Sequence, residues 1–92
     1  MPQIFKIGSY WVYFWSNEGE PIEPVHVHVS YGRPRQNATK VWITKRGKCL
    51  VEYSRSDIPP HVLRDIVKMI EARSDEIVRR WVDYFGDVSY FC

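Results

Sequence analysis

The chain has 92 residues and a formal net charge of +2 at pH 7, and 45% of its residues are hydrophobic and 26% charged. These ordinary globular values exclude a disordered chain, and no apolar stretch approaches membrane-spanning length. We expect a single domain, residues 1–92. Two cysteines, Cys49 and Cys92, and no recognisable leader predict a cytoplasmic protein with free thiols.

The first part of the chain predicts four β-strands. Strong strand formers occupy residues 9–15, and the alternating run at 25–31 follows a loop rich in turn residues. Further strands are predicted at 39–44 and 48–53, joined by the tight turn Lys45-Arg46-Gly47. An antiparallel meander is the simplest topology for four such strands.

The second part of the chain predicts one long helix, residues 59–85. Pro59 and Pro60 suit its first turn, Asp57 is the candidate cap, and Gly86 marks its end. Apolar residues recur at helical spacing: Leu63, Ile66, Val67, Ile70, Ile77, Trp81 and Phe85. The stripe keeps its phase across residues 72–74, which favours a continuous helix. The predicted fold is therefore α+β, with a four-stranded antiparallel meander packed against one long C-terminal helix.

The run Pro24-Val25-His26-Val27-His28-Val29 places two histidines one residue apart in a predicted strand. Successive strand side chains point to opposite faces, so both imidazoles leave the same face about 6.6 Å apart at their roots. Such a pair can exchange protons near neutral pH or ligate one metal ion. A structural role on a half-buried strand is the alternative.

Acid–base chemistry is the first enzymatic hypothesis. His26 and His28 would act as catalytic proton donor and acceptor on RNA, while Arg33, Arg35 or Lys40 binds phosphate. An unbroken run of basic side chains supports this hypothesis: Arg33, Arg35, Lys40, Lys45, Arg46 and Lys48, with no acidic residue among them. The same run also suits a solvated hairpin surface whose lysines protect an edge strand.

Metal binding is the second hypothesis for the histidine pair. His26 and His28 would ligate a divalent metal together with a carboxylate, with Glu18 or Glu23 nearest in sequence. Two ligands are too few for a zinc site, so this hypothesis requires the fold to supply the third.

Several motifs together resemble the DUF4160 family of small prokaryotic domains of unknown function. They are Ser16-Asn17-Glu18, then Pro24-Val25-His26-Val27-His28-Val29, and near the end Trp81-Val82-Asp83-Tyr84-Phe85-Gly86. Val25 replaces the family's second proline, and Pro59 stands where the family helix usually has a serine cap.

The resemblance implies a partner protein rather than a known activity. Members are commonly proposed as toxins of toxin–antitoxin pairs, often beside a gene of the DUF2442 family, so the expected partner is a DUF2442-like antitoxin. A non-enzymatic module would bind it through exposed aromatics such as Trp11, Tyr13, Trp15 or Trp42. The apolar tail from Val88 to Cys92 could dock onto a partner or a second copy, which would make a homo-oligomer.

Overall fold

The structure is a computed structural model that describes residues 3–15, 23–35, 38–53 and 58–92. Within these residues the chain forms five strands and two helices: β1 (Gln3–Ile7), β2 (Tyr10–Tyr13), β3 (His26–Tyr31), β4 (Thr39–Ile43), β5 (Cys49–Tyr53), α1 (Pro60–Ala72) and α2 (Ser74–Phe85). Each strand pairs antiparallel with the next, in the order β1-β2-β3-β4-β5. The predicted α+β class and meander are confirmed.

Strand β1 is the element that the sequence analysis missed. Ile4 and Phe5 are consecutive and both buried, because the pairing with β2 is irregular between Gln3 and Phe5. The alternation that reveals a half-buried strand is therefore absent. Gly8, at a φ of +59°, makes the turn into β2, so the predicted strand at 9–15 is a shorter second strand.

The prediction of a single long helix over residues 59–85 was wrong. The chain leaves helical geometry at Arg73, which has φ −113° and ψ 19°. The Arg73 N–H is shared between the carbonyls of Met69 and Ile70, each 3.1 Å away. Its guanidinium forms two hydrogen bonds of 2.9 Å with Glu76 and lies 4.0 Å from the ring centroid of Phe5. Arg73 thus anchors the junction between the two helices to β1.

The helix start follows the prolines as predicted, since α1 begins at Pro60. No side chain among the described residues caps it, and the predicted cap, Asp57, lies outside those residues.

Both helices pack on one face of the sheet, called here the core face. The predicted stripe supplies four fully buried side chains, Ile66, Ile70, Ile77 and Trp81. They meet buried strand residues that include Val12, Val27, Val29, Val41 and Ile43. Helix periodicity and strand alternation therefore assign the core correctly.

The tail after α2, residues 87–92, docks onto its own chain. The Val25 N–H donates to the carbonyl of Ser89 at 2.8 Å, and the Lys45 N–H donates to that of Cys92 at 3.1 Å. Phe91 stacks on Trp42, with ring centroids 4.8 Å apart and planes 11° from parallel. The tail therefore packs against the sheet of its own chain.

Candidate functional site

The histidine pair lies on β3, the central strand of the described sheet. The rings of His26 and His28 meet edge to face, with centroids 5.1 Å apart. Only 7% of His28 and none of His26 is exposed. The pair is therefore an interior feature, whereas acid–base or metal chemistry needs access for substrate or ion.

Aromatic rings surround both imidazoles. Tyr13 stacks on His28 at 5.6 Å, and Trp42 and Trp81 each lie 5.2 Å from His26. His26 Nδ1 is 2.9 Å from the carbonyl oxygen of Pro24. A carbonyl only accepts hydrogen bonds, so this contact requires the proton on Nδ1 and leaves the lone pair of neutral His26 on Nε2.

Lys40 lies opposite His28 in the β3–β4 pairing. Its ammonium is 3.3 Å from a carboxylate oxygen of Glu23 and 3.6 Å from one of Glu52. The ammonium also lies 4.3 Å from the ring centroid of Trp42. The Lys40 ammonium therefore already interacts with two carboxylates and one aromatic ring. These contacts argue against its predicted role in phosphate binding.

Arg33 and Arg35, the other predicted phosphate ligands, are exposed in the loop after β3. The Tyr13 hydroxyl donates to the Arg35 carbonyl at 3.0 Å and accepts from the Arg35 N–H at 3.2 Å. The backbone of Arg35 thereby fixes the ring that stacks on His28. Neither guanidinium forms an ion pair with another described residue.

No metal-binding group of three or more His, Cys, Asp or Glu side chains occurs among the described residues. Glu18, the predicted third ligand, lies outside them. Glu23, the other candidate, is paired with Lys40. The metal role of His26 and His28 stays a prediction.

The aromatics predicted to face a partner are mostly inside. Tyr13 is fully buried and Trp42 is 6% exposed, while Trp11 and Trp15 are half-buried. Tyr13 and Trp42 are therefore wrong as surface anchors, because both serve the cluster around the histidines.

An apolar groove lies between the β1–β2 turn, the end of β3 and α1. It has a volume of about 330 Å³ and is called here the apolar groove; its lining includes Ile7, Tyr10, Tyr31, Val62, Asp65 and Met69. Tyr31 is 56% exposed and Met69 44% exposed. The sequence analysis missed this groove because the groove depends on two features of the fold. The end of β1 supplies Ile7, and the β2–β3 pairing brings Tyr31 beside Tyr10.

The fold and the histidine pair define a small α+β domain with an H-x-H motif inside its central strand. The family model of a domain of unknown function, DUF4160, matches residues 9–82, so the chain belongs to this family, as its motifs indicated. No curated protein and no solved structure matches the chain. Among the described residues, no helix has the length and apolar character needed to cross a membrane.

Cys49 is the half-buried cysteine at the start of β5. Burial, and secondarily the nearby Glu71 carboxylate, raise the pKa of its thiol to about 12. The thiolate is the reactive form, so the raised pKa lowers the reactivity of Cys49 at neutral pH.

We expect iodoacetamide near pH 8 to alkylate exposed Cys92 at least about tenfold faster than Cys49 in the folded protein. Mass spectrometry of the two peptides over time measures both rates. In denaturant the two rates should converge. Equal rates in the folded protein would show that Cys49 is not shielded.

Proposed function

We propose that this chain is a protein-binding module whose partner docks in the apolar groove. The observation that carries the proposal is the exposure of Tyr31 and Met69, 56% and 44%, both of which line a concave apolar surface. Large aromatic and methionine side chains are enriched in interface cores. The histidine pair, in contrast, is sealed among aromatic rings.

The residues that line the groove indicate what kind of partner segment would fit it. Its only charged lining residue among those described is Asp65, which is exposed on α1. The matching partner is therefore an amphipathic segment with a few aliphatic or aromatic anchors and a Lys or Arg placed to reach Asp65. A cavity near 330 Å³ is at the small end for binding pockets, so it accepts anchor side chains rather than a whole element.

The family resemblance suggests which protein supplies that segment. We propose a DUF2442-like protein as partner, with this chain as the toxin of the pair. Expression of the chain alone should then slow growth, and co-expression of the partner should relieve the effect.

Changes in the groove should weaken the complex without unfolding the chain. Tyr31→Ala and Met69→Glu are each expected to raise the Kd for the DUF2442-like partner by at least about tenfold, because they remove an anchor or place a charge against apolar side chains. Isothermal titration calorimetry measures the Kd, and circular dichroism checks the fold. Asp65→Lys should weaken binding as well, through repulsion of the basic residue of the partner.

The matched control is Leu50→Glu on β5. Leu50 is 43% exposed, nearly the same as Met69, but lies outside the groove. We expect its Kd to equal that of the parent. A complex that survives Met69→Glu and is lost with Leu50→Glu would place the interface on the β5 edge and refute the proposal.

Acid–base chemistry on RNA is the second candidate function. It is favoured by the 5.1 Å separation of the His26 and His28 rings. It requires His28→Gln to abolish RNA cleavage while the fold and partner binding persist. Cleavage at the parent rate in that variant would eliminate it, and stoichiometric metal lost only in the variant would instead support the metal hypothesis.

A further inference from the structure

The turn between β4 and β5 concentrates positive charge on a short, well-fixed loop, called here the basic turn: Lys45, Arg46, Gly47 and Lys48. All three cationic side chains are exposed, and none forms an ion pair with another described residue. The Gly47 N–H donates to the Thr44 carbonyl at 3.0 Å, and the Lys48 N–H donates to Thr44 Oγ1 at 3.1 Å. The backbone is therefore held in place, while the three cations form no ion pair within the described part of the chain.

A cavity of about 510 Å³ is lined by the basic turn, the end of α1 and the start of α2. Helix α2 has 12 residues, and no side chain caps its first turn by a hydrogen bond. The first backbone N–H groups of a helix lack intrahelical acceptors and carry partial positive charge. Helix α1 ends at Ala72, which lines the same cavity, so the partial negative charge of its last carbonyls offsets this contribution and the charged side chains of the turn dominate the potential.

Ser74, the first residue of α2, adds a hydroxyl to the lining of the cavity. The residue is 8% exposed, and its hydroxyl forms no hydrogen bond with another described residue. A Cβ at Gly47 would lie 3.0 Å from Ser74 Oγ, so the glycine lets the turn approach this hydroxyl closely. Among the described residues, Trp81 Nε1 is the only buried side-chain polar atom without a partner, so the Ser74 hydroxyl stays accessible to a ligand in the cavity.

Two carboxylates also line the cavity, and they differ in availability. Glu71 Oε2 accepts the backbone N–H of Cys49 at 3.0 Å. Asp75 is exposed in the first turn of α2. The lining thus carries three cations and two carboxylates, a net charge of +1.

We propose that this cavity binds a phosphate group. The cations of the basic turn contact the phosphate oxygens, and Ser74 Oγ donates a hydrogen bond to one of them. The site shares no lining residue with the apolar groove, so it does not depend on the proposed partner. Free phosphate and the phosphodiesters of single-stranded RNA offer the same chemistry.

The first test is an NMR titration of the full chain with inorganic phosphate at low salt. We expect saturable shifts of the Gly47 and Ser74 amides. Arg46→Gln/Lys48→Gln should weaken binding at least about tenfold, as expected for the loss of charge-assisted hydrogen bonds. Ser74→Ala should weaken it less, and Asp75→Asn should strengthen it by removing a repulsive charge.

The matched control is Arg64→Gln/Lys68→Gln, which removes the same charge from the exposed side of α1. Its affinity should stay within about twofold of the parent, because those residues are outside the cavity. Equal losses of phosphate affinity in both double variants would reveal nonspecific attraction. Weaker phosphate binding with Asp75→Asn would show that the Asp75 carboxylate supports binding, as in a site that holds a cation. Either result overturns the proposal, as does the absence of saturable shifts.

A short single-stranded RNA in place of phosphate distinguishes the two sources. Tighter binding of RNA, lost in Arg46→Gln/Lys48→Gln and weakening steeply with salt, identifies backbone phosphates as the ligand. Binding of inorganic phosphate without a gain for RNA identifies a small-anion site. Both results support the proposal, and failure of both ligands to bind refutes it.

Discussion

Replacing Trp81 with alanine should lower the free energy of unfolding by about 3–5 kcal/mol, the usual cost of removing a fully buried aromatic side chain. Trp81 has no exposed surface. Its ring lies 5.0 Å from that of Phe14, 4.5 Å from that of Phe85 and 5.2 Å from that of His26. It joins α2 to the sheet and to the histidine pair, so the cavity left behind has little to fill it. Urea denaturation followed by circular dichroism measures the loss.

Trp81→Phe provides the control for this variant. Trp81 Nε1 is buried and has no hydrogen-bond partner among the described residues. Phenylalanine removes that unsatisfied donor while keeping most of the apolar contact, so its cost should be clearly smaller than that of alanine. A loss under about 1 kcal/mol for Trp81→Ala would contradict the packing described here.

Helix periodicity was the most reliable sequence signal, yet it concealed the break at Arg73. Ile66 and Ile70 precede the break and Ile77 and Trp81 follow it, and all four remain in phase and buried. The interruption depends on the local backbone of Arg73 and on its bonds to Glu76. Neither feature alters hydrophobic spacing, so the sequence pattern cannot reveal it.

Strand alternation placed His26 and His28 side by side but could not predict their burial. A strand face that carries two histidines is expected to be partly exposed to solvent. In this fold an aromatic layer covers it, formed by Tyr13, Trp42 and the tail residue Phe91. These contacts join residues distant in sequence. The apolar groove and the cavity beside the basic turn were missed for the same reason, since each combines strands with helices.

His26→Ala should also destabilise the protein strongly, by about 2–4 kcal/mol. The ring is fully buried, and alanine would remove its packing against His28, Trp42 and Trp81. It would also remove the hydrogen bond from Nδ1 to the Pro24 carbonyl, which orders the entry into β3. Chemical denaturation gives the loss, and heteronuclear NMR locates the structural change around β3.

His61→Ala is the matched control, because His61 is exposed at the start of α1 and its truncation should change stability by less than about 0.5 kcal/mol. The comparison separates a packing role from a chemical one. If His26 serves only packing, its truncation lowers the stability of the protein, and any activity falls only in proportion to the folded fraction. If His26→Ala kept the parent stability but lost RNA cleavage or metal, the buried pair would be a chemical site. The aromatic layer over it would then have to open for substrate or ion to enter.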